Sequence, residues 1–429
     1  MTQLASYLVP GLWVTDHTIK VPLEWGDESW GTINFFYREV TDPNRRGDDL
    51  PLLLFLPDGP GRPSPRPTPE LAWLRQAVEH YRVILPDPRG TGRSSLIDGE
   101  DIARFDDPAE AAWYLGRFLA DAVVRDLEHL RIKVLGGRRW TTLGDGYGGF
   151  LTLTYLSQHP AAFEGGLING GVPGLPASAS DVCRASFARV EHLSRQFYRR
   201  YPADQPITAS IVERLSDGDV VLPNGDPLTV SRFQHSAGDL TATGSFERLH
   251  WRLDSAFART SRLSDQFLYD VMNQTAGADI PLFSVLRELI YGSGANGPIN
   301  WAADRELERH PEFAPDAKPL LFFGDQVFPW MFDDIYELRP FKPAVDVLMQ
   351  QVTWPRLYDA NQLAANEVPL ECVVYWDGRS GDAPTQLETL QGIGNVNVWV
   401  TNEFGPDELQ RGQVFTRLRQ RLDERAWRL

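Results

Sequence analysis

One segment, residues 142–150, contains residues whose type and spacing suggest chemistry. It reads Thr-Leu-Gly-Asp-Gly-Tyr-Gly-Gly-Phe. The segment follows a run with strand character and opens a helical run. This is the context of a nucleophile elbow, Gly-x-Ser-x-Gly, in which a sharp strand-to-helix turn exposes a nucleophile. The nucleophile position is Gly146, which has no side chain for attack but fits the backbone of such a turn without steric cost. The segment therefore predicts the turn without its nucleophile.

Two further motifs accompany the elbow. Residues 56–61 read Leu-Pro-Asp-Gly-Pro-Gly, and residues 87–94 read Asp-Pro-Arg-Gly-Thr-Gly-Arg-Ser. Together with the elbow they resemble the proline iminopeptidases, where the first is a Gly-Gly-Pro-Gly oxyanion loop and the second is Asp-Gln-Arg-Gly-x-Gly-x-Ser. The likeness extends from residues 10–17 to residues 399–403 and includes residues 244–250. The resemblance implies an α/β-hydrolase fold, with a mostly parallel sheet and a large inserted helical cap.

The resemblance also gives the places of a catalytic triad. The nucleophile position is Gly146, the acid position is Gly378, with its neighbour Asp377 as the alternative, and the histidine position is Pro406. A second argument needs no alignment: in this fold the triad histidine follows the last strand, and the last histidine of the chain is His310. Because the triad acts as one unit, these changes eliminate covalent acyl transfer.

Parts of a binding site remain. By resemblance, Glu288 and Asp325 correspond to the cap carboxylates that recognise a free amino terminus, and Trp330 belongs to the same segment as Asp325. The alternative is that both carboxylates are surface or salt-bridged cap residues. The Tyr147 N–H and a group near Gly59 correspond to the oxyanion hole of the fold. Such donors can stabilise an enolate.

Four residues are candidates for acid–base chemistry: Asp58, Asp145, Tyr147 and Asp377. Asp58 stands where the family has glycine. A carboxylate in an apolar pocket can become a usable base when its pKa rises toward neutrality. The alternative is structural, because loop aspartates often cap helices or close turns.

The motif at residues 87–94 is expected to be structural. Asp87 and Arg89 are predicted to pair with each other beneath the loop, and Ser94 is predicted to be a loop cap.

The elements that must position these residues follow an alternation of short apolar runs and helical patterns, which is typical of a parallel sheet with crossover helices. A long helical stretch is predicted at residues 108–135. The region 177–363 lacks strand alternation and is predicted to be the cap, inserted between a first core part at 1–176 and a second at 364–429. The predicted strands are residues 52–56, 81–85, 140–143, 166–168, 372–375 and 396–400.

Composition excludes several functions. The net charge of −16 argues against nucleic-acid binding, since that binding needs cations to neutralise phosphates. No apolar run is long enough to span a membrane, and the start lacks signal-peptide character, which predicts a cytoplasmic protein. The two cysteines, Cys183 and Cys372, are expected to be buried thiols. No metal-ligand spacing and no nucleotide fingerprint is present, so no metal and no cofactor are predicted; the oligomeric state is left open.

Three functions are compatible with these residues. The first is a non-hydrolytic enzyme, an isomerase, cyclase or lyase, acting on a peptide-like or other carbonyl-containing small molecule. The second is a protein that binds such a molecule without converting it, as a sensor, carrier or resistance factor. The third is a hydrolase with relocated groups, for which Ser94 is the available motif serine.

Overall fold

A single sheet of nine strands forms the centre of the protein in the computed structural model, which describes residues 1–175, 178–238, 240, 242–257, 262–277, 280–294, 296–378 and 382–426. The strand order is β1-β2-β3-β5-β4-β6-β7-β8-β9. The pairs β1–β2, β2–β3 and β3–β5 are antiparallel, and the other five pairs are parallel. The strands are β1 (Thr2–Val9), β2 (Leu12–Pro22), β3 (Thr32–Thr41), β4 (Leu52–Leu56), β5 (Arg82–Asp87), β6 (Trp140–Asp145), β7 (Phe163–Asn169), β8 (Leu370–Tyr375) and β9 (Val396–Thr401).

The six predicted strands correspond to β4–β9, whereas β1–β3 were missed. Strands β4 and β1 differ in burial. Strand β4 sends Leu54 and Leu56 to one apolar cluster and Leu53 and Phe55 to another, because helices cover both faces of the parallel part and make every position apolar. Strand β1 is exposed along nearly its whole length. It therefore lacks the continuous apolar run on which the prediction depended.

The helices surround this sheet and form the cap. The predicted helix at 108–135 is divided in two by a 3-10 turn at Gly116–Phe118. Within the described residues the α-helices are α1 (Ala72–Val78), α2 (Gly99–Ile102), α3 (Pro108–Leu115), α4 (Ala120–Lys133), α5 (Tyr147–Gln158), α6 (Ala179–Arg200), α7 (Asp204–Leu215), α8 (Val230–His235), α9 (Ser245–Asp254), α10 (Asp265–Thr275), α11 (Pro281–Leu286), α12 (Ala302–Leu307), α13 (Met331–Asp334), α14 (Lys342–Met349), α15 (Ala360–Ala364), α16 (Ala383–Gln391), α17 (Glu408–Arg411) and α18 (Val414–Ala426).

The cap lies between β7 and β8 in the chain. One apolar cluster, which includes Phe197, Phe233 and Phe267, lies inside the cap, and a second joins the cap to core helices α2 and α3. The predicted start of the cap, at 176/177, lies outside the described residues. Near its predicted end at 363, Leu357 and Leu363 pack in the apolar cluster of the core sheet.

No helix among the described residues combines the length and the apolar character needed to cross a membrane.

Candidate functional site

The turn between β6 and α5 has the backbone of a nucleophile elbow. Gly146 adopts φ +50° and ψ −112°, which is in the region of positive φ that L side chains rarely occupy. Its N–H donates to the Asn169 carbonyl at 3.1 Å, and its own carbonyl accepts from the Gly149 N–H at 2.9 Å. These bonds fix position 146 at the end of β6 and at the start of α5.

The space of the missing nucleophile is filled by Asp58. A Cβ atom placed on Gly146 would lie 2.5 Å from Asp58 Cγ and closer still to Oδ1. Asp58 Oδ1 accepts a hydrogen bond from the Tyr147 N–H at 3.1 Å. A carboxylate thus takes the place of the nucleophile side chain at the N-terminus of α5, where the helix dipole favours negative charge.

This contact changes the expected oxyanion hole. One of its two predicted donors, the Tyr147 N–H, is already bound to Asp58. The other, at Gly59, remains: Gly59 lines the cavity, and its N–H donates no hydrogen bond within the described residues. Gly59 has φ +75° and leaves no room for a side chain, because Arg62 and Phe283 close over it.

A cavity of about 380 Å³ lies above this turn, between the sheet domain and the cap. Residues from α5, α6, α10, α11 and the loop before α13 surround it. Its charged lining residues are Asp58, Arg62, Arg189, Arg287, Glu288, Asp325 and Asp382. The volume suits a small molecule.

The resemblance places the acid of the triad at Gly378 or Asp377 and its histidine at Pro406. Gly378 is buried in a turn after β8, where its N–H donates to the Tyr375 carbonyl at 2.9 Å. The alternative acid, Asp377, is exposed to solvent. Pro406 contributes its carbonyl to the Asn169 side chain at 3.1 Å. Of the segment around the acid position, residues 379–381 lie outside the described residues.

Curated relatives share almost the full length of the chain. The α/β hydrolase fold family matches residues 51–200. A proline iminopeptidase of Aeromonas sobria is 38% identical over 408 residues, which cover 94% of this chain and 95% of that protein. The chain belongs to the proline iminopeptidase family.

A second relative and a solved structure complete the comparison. A proline iminopeptidase of Aspergillus aculeatus is 31% identical over 411 residues, covering 91% of this chain and 89% of that protein. The crystal structure of a proline iminopeptidase from Mycobacterium smegmatis superposes with a TM-score of 0.42 at 14% identity, covering 95% of this chain and 99% of that chain.

In this member of the family, Glu288 is buried and lines the cavity. Its two carboxylate oxygens accept the N–H groups of Ala302 and Ala303 at 2.9 Å each. Burial raises the pKa of Glu288 to about 7, against the opposing effect of these two hydrogen bonds. The carboxylate predicted to bind an amine therefore also caps the start of α12.

Asp325 is at the cavity as predicted, but it has a cationic partner. Arg287 Nη2 donates to Asp325 Oδ2 at 3.0 Å, and Nη1 of the same guanidinium donates to the Tyr291 hydroxyl at 3.2 Å. The prediction for Trp330 is wrong, because it packs behind the wall against His235 and Phe328 and does not line the cavity.

Asp145 and Tyr147 differ in their access to the cavity. Asp145 Oδ1 accepts from the Asn169 side chain at 2.7 Å, and Oδ2 accepts from Gln410 at 3.4 Å. Asp145 is absent from the cavity wall. Tyr147 does line the cavity, and burial raises the pKa of its hydroxyl, so the hydroxyl stays protonated.

The motif at residues 87–94 is structural, although one predicted pair is wrong. Asp87 pairs with Arg66 at 2.7 Å, and the buried Arg89 donates through Nε to Asp126 at 2.7 Å. The Ser94 hydroxyl is buried, accepts the Phe36 N–H at 2.7 Å and donates to the Asp87 carbonyl. Ser94 is a loop cap, as predicted, and has no access to the cavity.

Sequence reasoning missed several titratable residues of the cavity, among them His235 and Arg189. Burial lowers the pKa of His235 to about 4, so its imidazole is neutral at pH 7. Arg189 lies on α6. Neither belongs to a motif, and only the folding of the cap brings them to the site. Cys183 and Cys372 are free and buried, as predicted.

Proposed function

We propose that this protein is a non-hydrolytic member of its family, in which Asp58 accepts a proton from a small peptide-like or other carbonyl-containing ligand. The reaction class is isomerisation, cyclisation or elimination next to a carbonyl. The observation that carries the proposal is the position of Asp58, whose carboxylate fills the place of the nucleophile and accepts the Tyr147 N–H.

The groups that hydrolysis by a catalytic triad requires are absent from their expected positions. Gly146 offers no hydroxyl, the chain has no histidine after His310, and the motif serine Ser94 is buried in its own hydrogen bonds. Without a triad, an oxyanion hole and a binding pocket give about 10³ to 10⁴-fold acceleration over water. The names of the relatives support a peptide-like ligand for the same cavity.

The proposed step is a proton transfer. Asp58 takes the proton from a carbon next to the ligand carbonyl, and the electron pair of that C–H bond moves onto the carbonyl oxygen. The Gly59 N–H is placed to stabilise the resulting enolate. Return of the proton to another position isomerises the ligand. In elimination the leaving group departs with the electron pair and takes the proton from Asp58. In cyclisation the enolate carbon attacks a second carbonyl, and the resulting alkoxide takes that proton. Asp58 is then released as carboxylate.

A binding protein is the second candidate, and one observation favours it. The Tyr147 N–H is occupied by Asp58, so a carbonyl in the cavity meets one oxyanion donor instead of two. Such a site can hold a ligand without activating it.

Deuterium exchange separates these functions. The protein is incubated in D₂O with proline-terminated peptides, proline arylamides and polyketide-like carbonyl compounds, followed by mass spectrometry and melting curves. Asp58→Asn keeps an acceptor for the Tyr147 N–H but removes the base. We expect deuterium uptake by wild type and a decrease of about 100-fold or more in Asp58→Asn, the usual size of general-base catalysis.

The control is Asp217→Asn, a largely exposed carboxylate that contacts Arg214 outside the cavity, and its exchange rate should equal that of wild type. Exchange that survives Asp58→Asn, or release of arylamine by the wild type, would overturn the proposal. A melting shift without exchange or mass change would favour the binding protein.

A further inference from the structure

Arg189 is a cavity residue that none of the interactions above uses. It lies on the face of α6 that lines the cavity, together with Val182 and Ser186. Among the described residues, none of these three side chains packs in an apolar cluster. The guanidinium of Arg189 is therefore held at the ligand space by a long helix with a capping box at its N-terminus.

Within the described part of the chain, Arg189 makes no hydrogen bond and no ion pair, and its Nε is buried without a partner. The other two cavity arginines differ. Arg287 is bound to Asp325, and Arg62 stacks over the Phe283 ring at 4.4 Å. A buried donor without a partner costs about 1–3 kcal/mol. A ligand that pairs with Arg189 recovers this free energy on binding.

The charges around Arg189 select the kind of ligand. Asp377 and Asp382 are the carboxylates whose field reaches it, although neither is within ion-pair distance among the described residues. They would repel a doubly charged phosphate more strongly than a singly charged carboxylate. The planar guanidinium also matches a carboxylate, which it binds through two parallel hydrogen bonds.

We propose that Arg189 binds a carboxylate of the ligand, so that the cavity takes small carboxylic acids, such as a peptide-like molecule with a free carboxyl terminus. This carboxylate site belongs to the same cavity as the proposed function, and the peptide-like class of ligand rests on that proposed function. It assigns the polar anchor that holds the ligand, while Asp58 is the group that removes the proton.

Paired probes test the carboxylate directly. Titration calorimetry compares prolylglycine with prolylglycinamide, and 3-phenylpropanoate with 3-phenylpropanamide, since each pair differs only in the carboxylate. In wild type we expect each acid to bind about tenfold more tightly than its amide, as for a charge-assisted hydrogen bond. In Arg189→Gln the ratio should fall to about one, with the amide affinity unchanged, and Arg189→Lys should retain part of it.

The matched control is Arg195→Gln on the same helix. Arg195 is half-exposed and pairs with Glu191 at 2.8 Å, so its loss should leave the ratio as in wild type. Equal binding of acid and amide to wild type would overturn the inference, and this comparison needs no variant to fold. An acid-to-amide ratio that persists in Arg189→Gln would also overturn the inference.

Failure of the proposed reaction gives a different result. Asp58→Asn should lower deuterium exchange by about 100-fold or more and leave the acid-to-amide ratio intact. If no exchange is found with any compound while the ratio still depends on Arg189, the proton transfer is wrong and the carboxylate site stands.

Discussion

At the scale of single residues, Asp58 and Gly146 form one coupled pair. The carboxylate can reach the Tyr147 N–H only because position 146 lacks a Cβ atom, which would lie 2.5 Å from Asp58 Cγ. A side chain at 146 and a carboxylate at 58 therefore exclude each other. Gly146 and Asp58 are therefore structurally coupled, and a side chain introduced at 146 must displace the Asp58 carboxylate.

Gly146→Ser tests this coupling. We expect the single variant to lose about 1–3 kcal/mol of unfolding free energy, the usual cost of overpacking. Adding Asp58→Gly should recover much of that loss, since neighbouring residues couple by about 0.5–3 kcal/mol. None of these variants should hydrolyse proline arylamides. Denaturant unfolding and an arylamine assay provide the measurements.

The control for that test is Gly136→Ser, at a glycine that also has positive φ but has open space around it. It measures the cost of the backbone conformation alone. Equal destabilisation by Gly146→Ser and Gly136→Ser, with no recovery in the double variant, would show that Asp58 does not fill the nucleophile space.

At the scale of elements, the ends of four strands are joined by one side chain where a triad would lie. Asn169, at the end of β7, donates to Asp145 at the end of β6 and to the Pro406 carbonyl after β9. Its Oδ1 accepts from the Tyr375 hydroxyl of β8. Burial raises the pKa of this hydroxyl, so it remains a donor. The network ties the carboxyl ends of these four strands together.

Asn169→Ala should therefore lower the unfolding free energy by about 1–3 kcal/mol, because it removes the acceptor of the buried Tyr375 hydroxyl and one of the donors to Asp145. It should leave ligand affinity unchanged, since Asn169 does not line the cavity. Chemical denaturation and calorimetry measure the two quantities. Asn34→Ala, at an exposed position of β3, is the control and should be nearly neutral. If the Asn169→Ala protein is as stable as that control, the network does not contribute to the stability of the fold.

The sequence was most informative about elements whose environment makes them regular. Strands β4–β9 and the elbow could be predicted because apolar runs and a strained turn leave local signals. The exposed β1 and the roles of Asp145 and Trp330 could not, because they depend on neighbours that are distant in the chain. The contact between Asp58 and Tyr147 joins residues on separate loops, and Arg189 reaches the cavity only through the packing of α6.

At the scale of the whole molecule, the cap and the core meet at a cavity whose wall contains a carboxylate with a shifted pKa. Glu288 holds the start of α12 through two N–H groups, and burial raises its pKa to about 7 from the ordinary 4.5. The folded protein consequently binds a proton more tightly than the unfolded chain does. Stability must then decrease as the pH rises from about 4.5 to about 7, where Glu288 becomes ionised in the folded state.

Glu288→Gln should remove this part of the pH dependence. Gln stays neutral at every pH, so the variant lacks the decline of unfolding free energy that ionisation of Glu288 causes, which amounts to about 3 kcal/mol at about 1.4 kcal/mol per pKa unit. Urea unfolding of both proteins between pH 4.5 and 8 gives the comparison. The difference between wild type and variant should favour wild type most at low pH and shrink as the pH rises. A difference that is constant with pH would mean that Glu288 ionises alike in the folded and unfolded chain, and that its two hydrogen bonds fully compensate for its burial.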